Sequence, residues 1–172
     1  MMRTTLRSVF CLSLLVSLSI NAADKPAACT DAVYRGFDFW LGDWDTFDTD
    51  APGKPSVARN TITTMLDGCA IREDYRQADG MRGESFTTYD ATRQLWHQSW
   101  VTNRGELLIL EGKQDGRRIV LSGVDRDAKG QRTIEVSWQP QGKEVREIAR
   151  ISRDGGTTWT PMFDIVFRRH TR

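Results

Sequence analysis

The chain has 172 residues, of which 39% are apolar, and its 24 lysines and arginines nearly balance its 23 aspartates and glutamates, for a formal net charge of +1. A near-neutral chain without blocks of like charge lacks the basic surface that nucleic acids and anionic lipids require, so we expect neither as a partner. The length suits one domain with its own hydrophobic core.

The N-terminus has the pattern of a secretory signal peptide over residues 1–22. Two early arginines precede a short apolar run at residues 9–20, and small side chains follow at Ala22 and Ala23. This run is too short to cross a bilayer as a mature helix. We therefore predict cleavage near Ala22, export to the periplasm or beyond, a single domain over residues 23–172 and no membrane association after cleavage.

Two cysteines, Cys29 and Cys69, lie beyond the predicted cleavage site. An even pair in a small exported domain most simply forms a disulfide. A metal site and a nucleophilic cysteine are the alternatives, although two cysteines without neighbouring histidines make a poor zinc site. A disulfide here would close a loop of about 40 residues and contribute about 3–4 kcal/mol to stability.

A short helix is expected ahead of the sheet, over residues 32–39. Asp31 is suited to cap it, and apolar side chains recur at helical spacing through Phe37 and Trp40. Gly42 ends the helix. From there the hydrophobic pattern changes to period two, which is the pattern of β-strands.

Strand-like segments then continue to the C-terminus, separated mostly by turns that contain glycine. No connection is long enough for a crossover helix, so the pattern predicts an antiparallel meander. Closure into a barrel would remove the exposed edges, and a two-sheet sandwich is the alternative. We predict an all-β, up-and-down barrel of about ten strands. The segments are 44–49, 58–65, 69–77, 84–89, 94–102, 107–112, 117–124, 132–139, 144–152 and 158–168.

The fifth segment carries the clearest candidate binding surface. Trp96, Gln98 and Trp100 alternate along it and therefore share one face of the strand. Two tryptophans that flank an amide provide apolar walls with one orienting polar group, which is the chemistry of small-molecule pockets. Trp138 on the eighth segment is a further aromatic wall. We predict that these four residues bind a ligand, and the alternative is that the tryptophans only fill the barrel.

Glu111 follows a run at residues 107–110 that is apolar on both faces and is therefore predicted to be buried. A carboxylate after such a run is costly to bury unless it is paired. Either it binds a ligand donor or acts as a general base with a raised pKa, or it forms a salt bridge at the mouth of the strand. We include Glu111 among the candidate ligand-binding residues.

The two histidines, His97 and His170, are isolated in sequence, so no metal site, haem or other cofactor is predicted. We expect His97 on the outer face of its strand. No residue pattern indicates a Ser–His–acid triad or a phosphate-binding loop.

Residues 152–159 match an Asp-box, a hairpin motif of sialidases and β-propellers. A propeller needs several copies, and the chain has one. The arginine cluster that sialidase chemistry requires is also missing. We predict a structural turn in which Ser152 and Asp154 bond backbone amides and Trp159 packs beneath.

A Gly-x-Trp element within residues 37–44 is how calycin-type barrels, the lipocalins and their relatives, begin. The chain resembles a family of secreted bacterial domains of unknown function with a calycin-like barrel, over most of residues 29–168. The resemblance implies one central cavity and a cysteine pair at the positions of Cys29 and Cys69, and it brings no settled activity. It rests on residues 37–44, 68–69, 89–90, 96–101, 110–112 and 154–159.

Three functions fit these features. We favour a periplasmic or secreted binder of a small apolar or aromatic molecule, which requires a cavity inside the barrel. An envelope interaction protein would instead have a filled barrel and an exposed apolar patch. An acid–base enzyme, such as an isomerase or lyase, would use Glu111 for proton transfer and requires Glu111 to face inward. The sequence predicts no oligomeric state.

Overall fold

A computed structural model describes residues 29–171, so the predicted signal peptide and its cleavage site lie outside the described residues. No helix in residues 29–171 has the length and apolar character needed to cross a membrane.

The structure consists of ten β-strands and three short 3-10 helices at Ala32–Arg35, Asp38–Trp40 and Leu66–Gly68. The strands are β1 Gly42–Asp48, β2 Ala58–Met65, β3 Ala70–Gln77, β4 Arg82–Asp90, β5 Leu95–Thr102, β6 Leu107–Asp115, β7 Arg118–Asp127, β8 Gly130–Gln141, β9 Glu144–Ser152 and β10 Thr160–Arg169.

The ten strands form a closed antiparallel barrel. Each strand pairs with its neighbours in sequence, and β10 returns to pair with β1. At this closure Trp44 lies opposite Arg169, and Phe47 lies opposite Val166. The predicted all-β, up-and-down barrel is therefore confirmed, and the two-sheet sandwich is not formed.

The short helical segment predicted over residues 32–39 is present ahead of the barrel, as two 3-10 helices instead of one continuous helix. Asp31 makes no side-chain capping bond. Phe37 and Trp40 are nonetheless fully buried, because both pack into one end of the barrel. The Phe37 ring lies 5.0 Å from Trp96 and 5.4 Å from Trp138, centroid to centroid. We call this end, filled by aromatic side chains, the packed half of the barrel.

Gly42 and Arg169 fit together where the barrel closes. Gly42 has a φ of 132°, a left-handed conformation that favours glycine, and a side chain there would collide with the Arg169 guanidinium. That guanidinium donates a 2.8 Å hydrogen bond to the Leu41 carbonyl and lies 3.8 Å from the centre of the Trp44 ring. The Gly-x-Trp element is thus held by the last strand.

A disulfide joins Cys29 to Cys69, which confirms the predicted pair. It ties the start of the described chain to the residue that precedes β3. Arg35 reinforces the same link, because its guanidinium donates hydrogen bonds to the carbonyls of both Cys29 and Gly68. The segment that fills the packed half is therefore fastened to the barrel wall.

The Asp-box forms the predicted turn between β9 and β10. The Ser152 hydroxyl accepts a 2.8 Å hydrogen bond from the Gly156 amide, and Asp154 accepts bonds from the amide and hydroxyl of Thr158. The bonds from Thr158 lower the pKa of Asp154 to about 2. Trp159 packs under Arg150, whose guanidinium lies 4.4 Å from the ring. The motif therefore has a structural part in the hairpin.

The run at residues 107–110 was expected to be buried on both faces, and this expectation was wrong. Leu110 is 1% exposed, whereas Leu107 is 60% and Ile109 is 47% exposed. The strand follows ordinary alternation because β6 has the barrel interior on one side only. The outward side chains belong to an outer apolar patch, which consists of Phe86, Val101, Leu107 and Ile109.

Candidate functional site

The other half of the barrel, which we call the open half, holds a cavity of about 380 Å³. It lies among the C-terminal parts of β3 and β5, the N-terminal parts of β6, β8 and β10, and Glu147 of β9. Small-molecule sites have volumes of about 300–1,000 Å³ and mostly apolar walls, so the cavity falls in their size range. Much of its wall is formed by Tyr75, Trp100, Leu108, Val136, Phe163 and Ile165.

The ionisable groups of the cavity are all acidic or phenolic. Asp48, Glu73, Glu106 and Glu147 line it together with Tyr75, and no lysine, arginine or histidine of the described chain does so. Asp48 and Glu106 lie at or beyond strand ends, near the mouth. Glu73 and Glu147 lie within β3 and β9 and reach the interior.

Glu73 is the most buried of the four carboxyl groups, at 6% exposed. Its two oxygens accept 2.7 Å hydrogen bonds from the Asn60 amide on β2 and from the Ser85 hydroxyl on β4. Both partners are fully buried. Burial raises the pKa of Glu73 to about 7, although the two hydrogen bonds favour the carboxylate. The side chain is therefore fixed in orientation, and its carboxyl group gains or loses a proton near neutral pH.

Glu147 lies on β9, opposite Trp138 on β8 and Ile165 on β10. Burial raises its pKa well above the usual value, and the nearby charge of Glu73 raises it further. The Trp138 indole N–H lies close enough to favour the carboxylate, but without hydrogen-bond geometry, so this N–H has no partner within residues 29–171. The cavity therefore holds two neighbouring carboxyl groups, neither of which has a cationic partner in the described chain.

The predicted ligand-binding residues divide between the two halves of the barrel. Gln98 and Trp100 line the cavity. Trp96 and Trp138 lie in the packed half, buried against Phe37. Gln98 donates a 3.0 Å hydrogen bond to Thr87, and its amide nitrogen lies 3.4 Å from the Ser85 hydroxyl that bonds Glu73. The amide is thereby linked to the buried carboxyl group.

Glu111 does not face the cavity, as a ligand-binding or proton-transfer role would require. It lies on the outer face of β6, where Arg93 donates hydrogen bonds of 2.8 and 2.9 Å to its two oxygens. Hydrogen bonds from Arg93, which has the larger effect, and from His97 lower the pKa of Glu111. The salt bridge at this position is the alternative that the structure shows, so Glu111 is not carried into the candidate site.

His97 lies on the outer face of β5, as expected, and its ring links Ser99 to Glu111. The two ring nitrogens lie 2.8 Å from the Ser99 hydroxyl and 2.9 Å from the Glu111 carboxylate. This Ser–His–acid arrangement was not predicted from the sequence. However, β5 is hydrogen-bonded to strands on both sides, so the neighbouring backbone amides are engaged and form no oxyanion hole beside Ser99 in the described structure. We assign it a structural role.

The sequence reading also missed Glu73 and Glu147. A signal for both was present, because each shares its strand face with apolar neighbours two residues away: Ile71 and Tyr75 flank Glu73, and Val145 and Ala149 flank Glu147. A charged residue that shares a strand face with inward-facing apolar residues is expected to be a buried polar group.

The comparisons with known proteins bring no family to the chain. No family model matches it, and no relative was found among curated proteins. Within residues 29–171, no group of three His, Cys, Asp or Glu side chains is placed to hold a metal ion. The resemblance to secreted calycin-like domains stays a prediction.

Proposed function

We propose that this protein binds a small, largely apolar or aromatic molecule in the open half of a calycin-like barrel. The observation that carries the proposal is the cavity of about 380 Å³ inside the barrel, with Trp100 and Leu108 in its wall. Gln98 is the orienting polar group, since its amide lies in the same wall. The hydrogen bonds that hold Gln98 and Glu73 in fixed positions indicate that the site is preformed.

A scaffold with a filled barrel is favoured only by the outer apolar patch. The cavity argues against it, because a barrel that serves only as a scaffold has no need of unfilled interior volume.

An acid–base enzyme is a second candidate. Glu73 and Glu147, with raised pKa values inside a cavity, fit that role in place of Glu111. Exchange of a ligand proton for deuterium, dependent on Glu73, would support the enzyme.

We also propose that the protein is exported, to the periplasm or the extracellular medium. The disulfide between Cys29 and Cys69 supports this, because disulfides persist in oxidising compartments. Mass spectrometry of the protein recovered from a periplasmic extract would test it. A chain that begins near residue 23 and carries the disulfide is expected, and a full-length reduced chain would contradict export.

The binding proposal is tested by titrating the protein with N-phenyl-1-naphthylamine, a neutral aromatic probe, while following tryptophan fluorescence. Leu108→Trp enlarges a side chain in the cavity wall, and Leu107→Trp makes the same change on the outer face of the same strand. We expect saturable binding to wild type and to Leu107→Trp, and at least about tenfold weaker binding to Leu108→Trp.

Circular dichroism and thermal melting establish that both variants are folded. Equal affinity for wild type and Leu108→Trp would contradict the cavity site, as would no saturable binding to wild type. Loss of binding in Leu107→Trp alone would place the probe on the outer apolar patch.

A further inference from the structure

The charges around the cavity are of one sign. Four carboxyl groups line it, at the mouth and within, whereas no cationic side chain of the described residues does. Elsewhere in the barrel carboxylates are paired: Glu135, for example, lies 2.7 Å from Arg150 on the outer face. A low-dielectric cavity lined by carboxyl groups without cationic partners stabilises positive charge when those groups ionise.

The two interior carboxyl groups are built into the wall. Glu73 is held by Asn60 and Ser85, both fully buried, so it is a fixed acceptor. The Asn60 carbonyl oxygen is buried with no hydrogen-bond partner among residues 29–171, and so is the Trp138 indole N–H beside Glu147. Leaving such groups incompletely satisfied costs stability. A bound ligand or water is one way in which such groups are satisfied.

The wall around these carboxyl groups is aromatic and soft. Tyr75 and Trp100 lie edge to face with ring centroids 5.8 Å apart, and Met81, Met162 and Phe163 complete that side of the cavity. Aromatic faces attract cations, most strongly where water is excluded, and thioethers adapt to the shape of a ligand. A small inorganic cation makes no use of such a wall, whereas an organic cation uses both the wall and the carboxyl groups.

From this geometry we propose that the cavity selects an organic cation, an amine or quaternary ammonium on an apolar or aromatic body, with its charged group beside Glu73 and Glu147 and its body against Trp100. The inference rests on the proposed function, since it names the chemical class of the ligand that the cavity takes. An anion of the same size would meet four carboxyl groups and is rejected.

The test compares three probes of nearly equal shape. Benzyltrimethylammonium is a cation at every pH, neopentylbenzene is its neutral isostere, and phenylacetate is an anion. Affinities are measured by tryptophan fluorescence and calorimetry at pH 8. We expect the cation to bind at least about tenfold more tightly than the neutral isostere, and the anion not to bind.

Matched variants locate the charge. Glu147→Gln and Glu73→Gln each remove one interior carboxyl group, and Glu135→Gln removes one from the outer face. The two interior variants are expected to weaken cation binding about tenfold and to leave the neutral isostere unchanged, while Glu135→Gln changes neither. Should Glu73→Gln fail to fold, Glu147→Gln and the wild-type probe comparison decide the question.

The pH profile gives an independent readout. The titratable groups that face the cavity are Asp48, Glu73, Tyr75, Glu106 and Glu147. Because the quaternary ammonium does not titrate, its affinity is expected to rise between pH 5 and pH 8 as Glu73 ionises, with proton release on binding near pH 7. The affinity of the neutral isostere is expected to stay flat.

The outcomes separate this inference from the proposed function. Equal or tighter binding of the neutral isostere overturns the preference for a cation and leaves a small-molecule site in place. Binding of N-phenyl-1-naphthylamine without binding of the cation does the same. If no probe binds, the proposed function and this inference fall together.

Discussion

The Asn60 side-chain amide donates a 2.7 Å hydrogen bond to the Glu73 carboxyl group inside the barrel, and no cation of the described chain lies beside the pair in the cavity wall. The Ser85 hydroxyl holds the second oxygen at the same distance. Two neutral donors fix the carboxyl group without neutralising it. Burial therefore governs its ionisation and raises the pKa of Glu73 to about 7.

Stability should depend on pH through Glu73. Because its pKa is raised on folding, the protonated form favours the folded state. Stability is unaffected well below the unfolded pKa of about 4.5 and falls as pH rises from there to about 7. Glu73→Gln stays neutral, so its stability relative to wild type should increase by up to about 3 kcal/mol between pH 4 and pH 8. Urea unfolding at both pH values measures this change.

The comparison across pH removes any constant cost of exchanging a hydrogen bond. Glu135→Gln, on the outer face beside Arg150, is the control, and its effect should not grow in the same way. A constant difference between Glu73→Gln and wild type at pH 4 and pH 8 would contradict the raised pKa.

Gly42→Ala should destabilise the barrel more than other glycine substitutions in left-handed positions. Gly42 combines a φ of 132° with contact against Arg169, whereas Gly53 has a φ of 79° with no atom near the position of a side chain. We expect Gly53→Ala to cost about 1 kcal/mol for backbone strain, and Gly42→Ala at least about 2–3 kcal/mol because it also displaces Arg169. Urea unfolding of both variants tests this, and equal costs would show that the Arg169 contact is unimportant.

Reduction of the disulfide should lower stability without opening the barrel. Constraining a loop of about 40 residues contributes about 3–4 kcal/mol through the unfolded chain. Unfolding of wild type with and without reductant, compared with the Cys29→Ser/Cys69→Ser double variant, measures the effect. The double variant should match reduced wild type and be insensitive to reductant. Unchanged stability of reduced wild type would contradict the expectation.

Glu111→Gln should leave ligand binding intact. The Glu111 carboxylate contacts Arg93 and His97 on the outer face and lies outside the cavity wall. Its substitution should change the affinity for N-phenyl-1-naphthylamine less than twofold, whereas Leu108→Trp should reduce it about tenfold. A loss of binding in Glu111→Gln comparable to that in Leu108→Trp would return Glu111 to the candidate site.

The strands were predictable because each has one buried and one solvated face, so the alternation of side chains reports directly on pairing. The predicted segment 58–65 coincides with β2, and 144–152 coincides with β9. The short lead-in was less predictable, since Phe37 and Trp40 are positioned by packing into the barrel and not by local helix formation.

The interior carboxyl groups were harder to find for two reasons. In β9, Arg146 and Glu147 are adjacent and face opposite sides, and charge alone does not show which one points inward. In β6, the apolar run masks the alternation, so Glu111 stays among the candidate ligand-binding residues predicted from the sequence, although it shares a face with the exposed Ile109. Partners that decide orientation, such as Asn60 for Glu73, come from other strands and appear only once the barrel is closed.

The central claim is that the cavity beside Trp100 is a binding site, and a crystal structure with a bromo-substituted N-phenyl-1-naphthylamine tests it most directly. Anomalous scattering locates the bromine independently of the surrounding density. The account predicts a bromine peak inside the barrel, against the wall that Trp100 and Leu108 form. A barrel interior without a peak, or a peak confined to the outer apolar patch, would contradict it.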